Sequence, residues 1–96
     1  MNIKRLYRIH EMIESQTTGT PAEFAQKFNI GERQLYYLIE DLKLFSAEVR
    51  YSRRRKTFYY ANDFNFLRDL DYEHIAGRID KKTLMELLKI LVEKNK

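Results

Sequence analysis

The chain of 96 residues contains no cysteine, a single proline and three glycines. Without cysteine it can form neither a disulfide framework nor a cysteine-ligated zinc site. It also lacks any linker rich in Gly, Pro or Ser, and its length fits one domain with a short appended element. No stretch approaches the roughly 18 apolar residues of a membrane span, and residues 1–8 lack a signal-peptide core. We therefore expect a cytoplasmic protein without membrane contact.

Motifs that carry enzymatic chemistry are equally scarce. The two histidines, His10 and His74, are far apart in sequence and belong to no metal-ligand or nucleophile pattern. There is no glycine-rich phosphate loop and no paired-carboxylate motif. We expect His10 to pack on the first helix and His74 to be exposed. The sequence therefore predicts no enzyme, no metal or other cofactor, and no small-molecule ligand.

Positive charge is concentrated in the first part of the chain. The net charge is +4; residues 1–60 hold eleven Lys/Arg against seven Asp/Glu, whereas residues 61–96 hold seven of each. Five cations fall within seven residues that contain no acid, and they are Arg50, Arg53, Arg54, Arg55 and Lys56. Such a cluster suits phosphate, because binding releases counterions. The alternative is a solvated basic surface loop.

Local signals predict two helices at the start of the chain. Residues 2–15 form the first, because apolar side chains recur there at helical spacing. These side chains are Ile3, Leu6, Ile9 (or His10) and Ile13. The second helix begins after Thr20, where a capping box to Glu23 coincides with a proline at the first helical position. It ends near Phe28.

A third helix is predicted over residues 32–44, after a three-residue turn. Asn29 tolerates the left-handed conformation that a tight helix end requires. Ala25 occupies the expected crossing of the second and third helices, where only a small side chain fits. The residues expected to face inward around it are Phe24, Phe28, Ile30, Leu35, Leu38, Ile39 and Leu42. This combination favours a helix-turn-helix over a generic helical hairpin.

Between residues 48 and 61 the apolar period changes to two, which indicates a β-hairpin. If Arg53–Lys56 form its turn, the opposed pairs are Ser52 with Thr57, Tyr51 with Phe58, and Val49 with Tyr60. The apolar residues of both strands then share one face, as a half-buried hairpin requires. The predicted fold class is mainly α with a small β-hairpin. Residues 1–62 would form a winged helix-turn-helix of three helices plus wing.

Residues 63–96 are predicted to form a C-terminal helical extension. Asp71 would cap a helix through Ile79, and Asp80 would cap a last helix from Lys81 to about Glu93. The apolar stripe of this last helix is wide: it contains Leu84, Leu87, Leu88 and Leu91, broadened by Met85, Ile90 and Val92. We expect it to mediate a homodimer that reads palindromic half-sites. The alternative is that it packs back on the first helix.

Residues 3–61 resemble the winged helix-turn-helix domains of bacterial transcription regulators, of the DeoR-like and WYL-associated kind. The resemblance rests on residues 5–9, 20–30 and 33–42. The positions that match the family pattern are Phe24-Ala25, Ile30, Arg33, Leu35, Ile39 and Leu42. The family commonly has Ser, Thr and Arg where this chain has Gly31, Gln34 and Tyr37. The resemblance implies a winged fold and binding of double-stranded DNA.

In helix-turn-helix docking, the N-terminal part of the second helix of the unit meets base edges in the major groove. The candidate contacts here are Glu32, Arg33, Gln34, Tyr36 and Tyr37, with Glu40 also facing outward. Arg33 can grip guanine, clamp a phosphate or form a surface ion pair, and Gln34 can pair with adenine. We expect one of the two tyrosines to be partly buried. Glu40 and Asp41 would repel the DNA backbone, so the contact should end near Tyr37.

Arg50 and the turn Arg53–Lys56 would lie along a flanking minor groove or phosphate ridge and supply affinity rather than sequence reading. Thr18 is a further candidate phosphate donor, while for Thr20 helix capping outweighs that role. The leading hypothesis is a sequence-specific DNA-binding regulator that acts by occupying an operator. Two alternatives stay open. One is a protein–protein interaction module that binds no DNA; the other is an architectural or recombination accessory protein of a mobile element.

Overall fold

The computed structural model describes residues 3–69 and 81–94. Its helices are α1 (Ile3–Glu14), α2 (Pro21–Lys27), α3 (Glu32–Lys43), α4 (Phe66–Asp69) and α5 (Lys81–Lys94). Its strands are β1 (Val49–Ser52) and β2 (Thr57–Tyr60). The described part of the chain is thus a mainly helical domain with one antiparallel hairpin, as predicted. The predicted helix over 71–79, the cap Asp80 and the exposure of His74 lie outside the described residues, as does the side chain of Leu91.

The start of α2 is fixed by the predicted capping box. The Glu23 amide donates to Oγ1 of Thr20 at 3.2 Å, and the Thr20 amide donates back to Oε1 of Glu23 at 3.1 Å. Hydrogen bonds with Thr20 lower the pKa of the Glu23 carboxyl. The bond to the Thr20 backbone has the largest effect, and the bond to the Thr20 side chain has the next largest. At the other end of α2, Asn29 has a φ of +54°. The turn into α3 is therefore built as the sequence indicated.

The hairpin has the predicted register. Its Cα partners are Val49 with Tyr60, Arg50 with Tyr59, Tyr51 with Phe58, and Ser52 with Thr57. Phe58 is buried, and Val49, Tyr51 and Tyr60 are partly buried against the same core. Residues 53–56, here called the basic turn, connect the two strands. The hairpin thus turns one face to the helices and presents its basic turn to solvent.

The core lies between α1, α2, α3 and β2. Its members from these elements are Ile3, Leu6, Ile9, Ile13, Phe24, Ala25, Leu35, Ile39, Leu42 and Phe58. Three of the predicted inward residues, Phe28, Ile30 and Leu38, are only partly buried at its edge. The chain after the hairpin adds Phe64, Phe66 and, from α5, Leu87.

His10 is buried on α1, as predicted, and joins the hairpin to the residues that follow it. Its Nδ1 and the Tyr60 hydroxyl share a hydrogen bond of 2.8 Å. Its ring also lies against Phe64 and Phe66, with centroids 5.7 and 5.4 Å away. Burial raises the pKa of Tyr60, with a further contribution from the charge of Glu14.

Among the described residues, no helix has the length and apolar character needed to cross a membrane.

Candidate nucleic-acid interface

The outward face of α3 is polar and open to solvent. All six positions assigned to it from the sequence are exposed, and they are Glu32, Arg33, Gln34, Tyr36, Tyr37 and Glu40. The opposite face is held in the core by Leu35, Ile39 and Leu42. Because this burial fixes the rotation of the helix, the outward side chains project from a rigid element.

Arg33 is oriented along α3 by the side chain one turn further on. Its Nε donates to the hydroxyl of Tyr37 at 3.0 Å, and its guanidinium carbon lies 5.8 Å from the centre of that ring. Within the described part of the chain Arg33 makes no ion pair, and Nη1 and Nη2 make no hydrogen bond. The two terminal nitrogens therefore form an outward fork, the geometry that suits guanine or a phosphate.

About half of the surface of each α3 tyrosine is exposed to solvent: Tyr36 is 48% exposed and Tyr37 is 57% exposed. The prediction that one of them is partly buried is wrong, because both are exposed and neither enters the core. The Tyr36 ring instead meets Phe58 edge-on, with centroids 6.4 Å apart. Because Phe58 belongs to β2 and lies two residues beyond the basic turn, this contact places Tyr36 beside the hairpin.

A cation of α1 that the sequence did not single out lies beside α3. Arg5 of α1 lines a shallow depression together with Gln34, Tyr37 and Leu38. The only signal in the sequence is that Arg5 lies between the apolar positions of α1. Arg5 and Gln34 thus border the same surface from two helices.

The cations of the hairpin are all exposed. They are Arg50 on β1 and Arg53, Arg54, Arg55 and Lys56 in the basic turn. Arg50 stands opposite Tyr59, so both lie on the face of the hairpin that points away from the core. The structure therefore gathers the predicted hairpin cations on an accessible surface.

Thr18 does not have the predicted role of a phosphate donor. The residue is 0% exposed, and its Oγ1 accepts a 2.8 Å hydrogen bond from the Phe58 amide. The same hydroxyl lies 3.1 Å from Oγ1 of Thr57. Thr18 therefore attaches the α1–α2 loop to the free edge of β2. Thr20 forms the expected helix cap.

Negative charge lies toward the C-terminal end of α3. Glu40 forms an ion pair with Lys43, whose Nζ is 3.1 Å from Oε1 of Glu40. Asp41 is partly buried, and burial raises its pKa. The side of α3 open to a polyanion is thus its N-terminal half, where Arg33 and Gln34 lie.

The described residues contain no group of three or more His, Cys, Asp or Glu side chains placed to hold a metal ion.

Comparisons with known protein families, characterised proteins and solved structures found no match to this chain.

Proposed function

We propose that this chain is a sequence-specific double-stranded DNA-binding protein of the winged helix-turn-helix type that regulates transcription by occupying an operator. The observation that carries the proposal is the contact between Tyr36 and Phe58. It joins a polar, rigid helix face to a hairpin with an exposed basic turn. A duplex offers a groove and a flanking phosphate ridge to such a surface.

In this proposal α3 reads bases from the major groove. The fork of Arg33 reaches guanine O6 and N7, and the amide of Gln34 pairs with adenine. Tyr36 and Tyr37 contact phosphates or thymine methyl groups. Glu32 lies beside Arg33 at the start of the helix, where a carboxylate can accept from cytosine. The acidic end of α3 limits the contact to its first two turns.

The hairpin supplies most of the electrostatic affinity. Arg50 and the basic turn present five exposed cations, and each phosphate contact releases a condensed counterion. Counterion release depends weakly on base sequence, so the charge of these cations stabilises specific and nonspecific complexes alike. In this proposal α3 supplies most of the sequence specificity, and the charge of the hairpin supplies most of the affinity.

We propose further that the protein binds DNA as a homodimer through α5. One side of α5 packs on α1 and contributes Leu87 to the core. Met85, Leu88 and Val92 remain exposed on the same helix. An apolar strip of this kind on a second copy would be self-complementary across a two-fold axis. Dimers of this class read two half-sites about one DNA turn apart.

Selection of bound sequences from random duplex DNA, followed by footprinting, tests the proposal on the full chain. We expect enrichment of one motif, arranged as a palindrome if the dimer forms. We also expect log affinity to fall steeply with log salt concentration. Binding without enrichment, together with bends at tandem sites, would favour an architectural protein. The absence of duplex binding would favour a protein-interaction module instead.

A further inference from the structure

Arg55 differs from the other cations of the basic turn in how it is held. Its Nη1 donates to Oε1 of Gln16, a residue 39 positions earlier. Its guanidinium carbon also lies 5.0 Å from the centre of the Tyr59 ring. Within the described residues, the side chains of Arg53, Arg54 and Lys56 make no hydrogen bond, ion pair or ring contact. Of the four cations, Arg55 therefore has a defined orientation before any partner binds.

Gln16 is itself fixed by the loop that carries it. The backbone amide of Gln16 donates to the carbonyl of Ile13 at 3.1 Å. The backbone amide of Thr17 donates to the carbonyl of Met12, also at 3.1 Å. Two residues on, Thr18 is bonded to β2. The Gln16 backbone is thus tied to α1 on one side and to the hairpin on the other.

The chemistry of the Gln16 side chain suits an orienting role. Its amide oxygen is a neutral acceptor, so it orients the guanidinium of Arg55 without cancelling the charge. A carboxylate at this position would form an ion pair and weaken the attraction to phosphate. The contact with Gln16 uses Nη1, and the structure shows no hydrogen bond from the side-chain atoms Nε and Nη2 of Arg55 to the described residues.

We infer that Gln16 and Tyr59 are positioning residues that make Arg55 a pre-oriented DNA contact of the hairpin, while the other turn cations contribute only charge. This inference rests on the proposed DNA-binding function. A pre-oriented side chain loses less conformational freedom on binding than a mobile one. Because Arg55 is fixed relative to α3 through the core, its contact forms best when α3 is docked in register. Arg55 therefore adds to site discrimination as well as to affinity.

The variant Gln16→Asn tests the inference without changing charge. Gln16 has a φ of +56°, a region that asparagine adopts more readily, so the backbone is not strained by the change. The side chain is one methylene shorter, so its oxygen withdraws from Nη1 of Arg55 and the hydrogen bond is lost when Arg55 keeps its orientation. We expect affinity for the preferred duplex to fall about 2- to 10-fold, as for the loss of one pre-ordered side chain. Affinity for random duplex and the salt slope should stay unchanged.

Arg54→Ala is the matched control, because it removes a neighbouring cation that nothing orients. It should weaken preferred and random duplexes equally and reduce the salt slope by up to about 0.9. Tyr59→Leu, which removes the ring under Arg55, should resemble Gln16→Asn. Tyr59→Phe, which keeps the ring, should bind as the unaltered chain does.

A double-mutant cycle separates positioning from a general structural effect. In an Arg55→Ala background, Gln16→Asn should cause no further loss of affinity for the preferred duplex. An equal loss in both backgrounds would show that Gln16 acts through the fold, and would overturn the inference. So would a Gln16→Asn variant that binds both duplexes normally while the unaltered chain discriminates between them. If the unaltered chain binds no duplex, the proposed function fails, and the inference fails with it.

Discussion

Replacing Thr18 by valine tests how the hairpin is attached to the helices. The side chain is 0% exposed, and its hydroxyl accepts from the amide of Phe58 at 2.8 Å. Valine has nearly the same shape but no acceptor, so the change leaves a buried amide without a partner. Such a group costs about 1–3 kcal/mol of unfolding free energy. Thr57 keeps its hydrogen bond to the Phe58 carbonyl, at 2.9 Å, whereas the Gly19 carbonyl loses the 2.9 Å hydrogen bond that the Thr18 hydroxyl donates to it.

Thermal unfolding followed by circular dichroism measures this loss. For a domain of this size each kcal/mol lowers the Tm by about 4–8 °C, so Thr18→Val should melt clearly below the unaltered chain. Thr17→Val is the matched control, because Thr17 is the exposed neighbour in the same loop. Its effect should stay within about 0.5 kcal/mol. Equal melting temperatures for the two variants would refute the assigned role of Thr18.

Three further changes probe other parts of the structure. Ala25→Leu should cost about 1–3 kcal/mol in urea unfolding, because Ala25 is 2% exposed between packed helices; an unchanged midpoint would contradict a close crossing of α2 and α3. Leu88→Glu should convert a dimer to monomer in sedimentation, whereas the exposed control Lys82→Glu should not; a monomeric unaltered chain at tens of micromolar would exclude the dimer. Tyr37→Phe removes the acceptor of the Arg33 Nε, so it should lower affinity for the preferred duplex by less than Arg33→Ala does; an equal or larger loss would contradict the orientation of Arg33 as the main role of the Tyr37 hydroxyl.

The elements up to residue 60 were predictable because their signals are local. The capping box at Thr20 and the left-handed Asn29 lie within a few residues of the bonds they make. The hairpin register follows from the turn at residues 53–56 together with the alternation, since a slip of one residue would turn the apolar side chains of one strand to solvent. These signals place α1, α2, α3 and both strands to within one or two residues.

The contacts that join these elements were not predictable from spacing. Thr18 looks like a surface threonine in a polar loop, and its burial depends on β2, some 40 residues later. The same holds for Gln16 and Arg55. The packing of Phe66 against His10 likewise depends on tertiary contacts. Tertiary packing therefore sets which polar residues attach the hairpin and which stay available.

The most direct test of the account is a binding titration on preferred and random duplex DNA at several salt concentrations. It compares the unaltered chain with Arg33→Ala and with the double variant Arg53→Ala/Arg54→Ala. Arg33→Ala should cost about 1–3 kcal/mol on the preferred duplex and relax discrimination at one base position. The double variant should weaken both duplexes equally and reduce the salt slope by up to about 0.9 per lost phosphate contact. Unchanged affinity and salt slope in both variants would contradict DNA recognition by α3 and the hairpin.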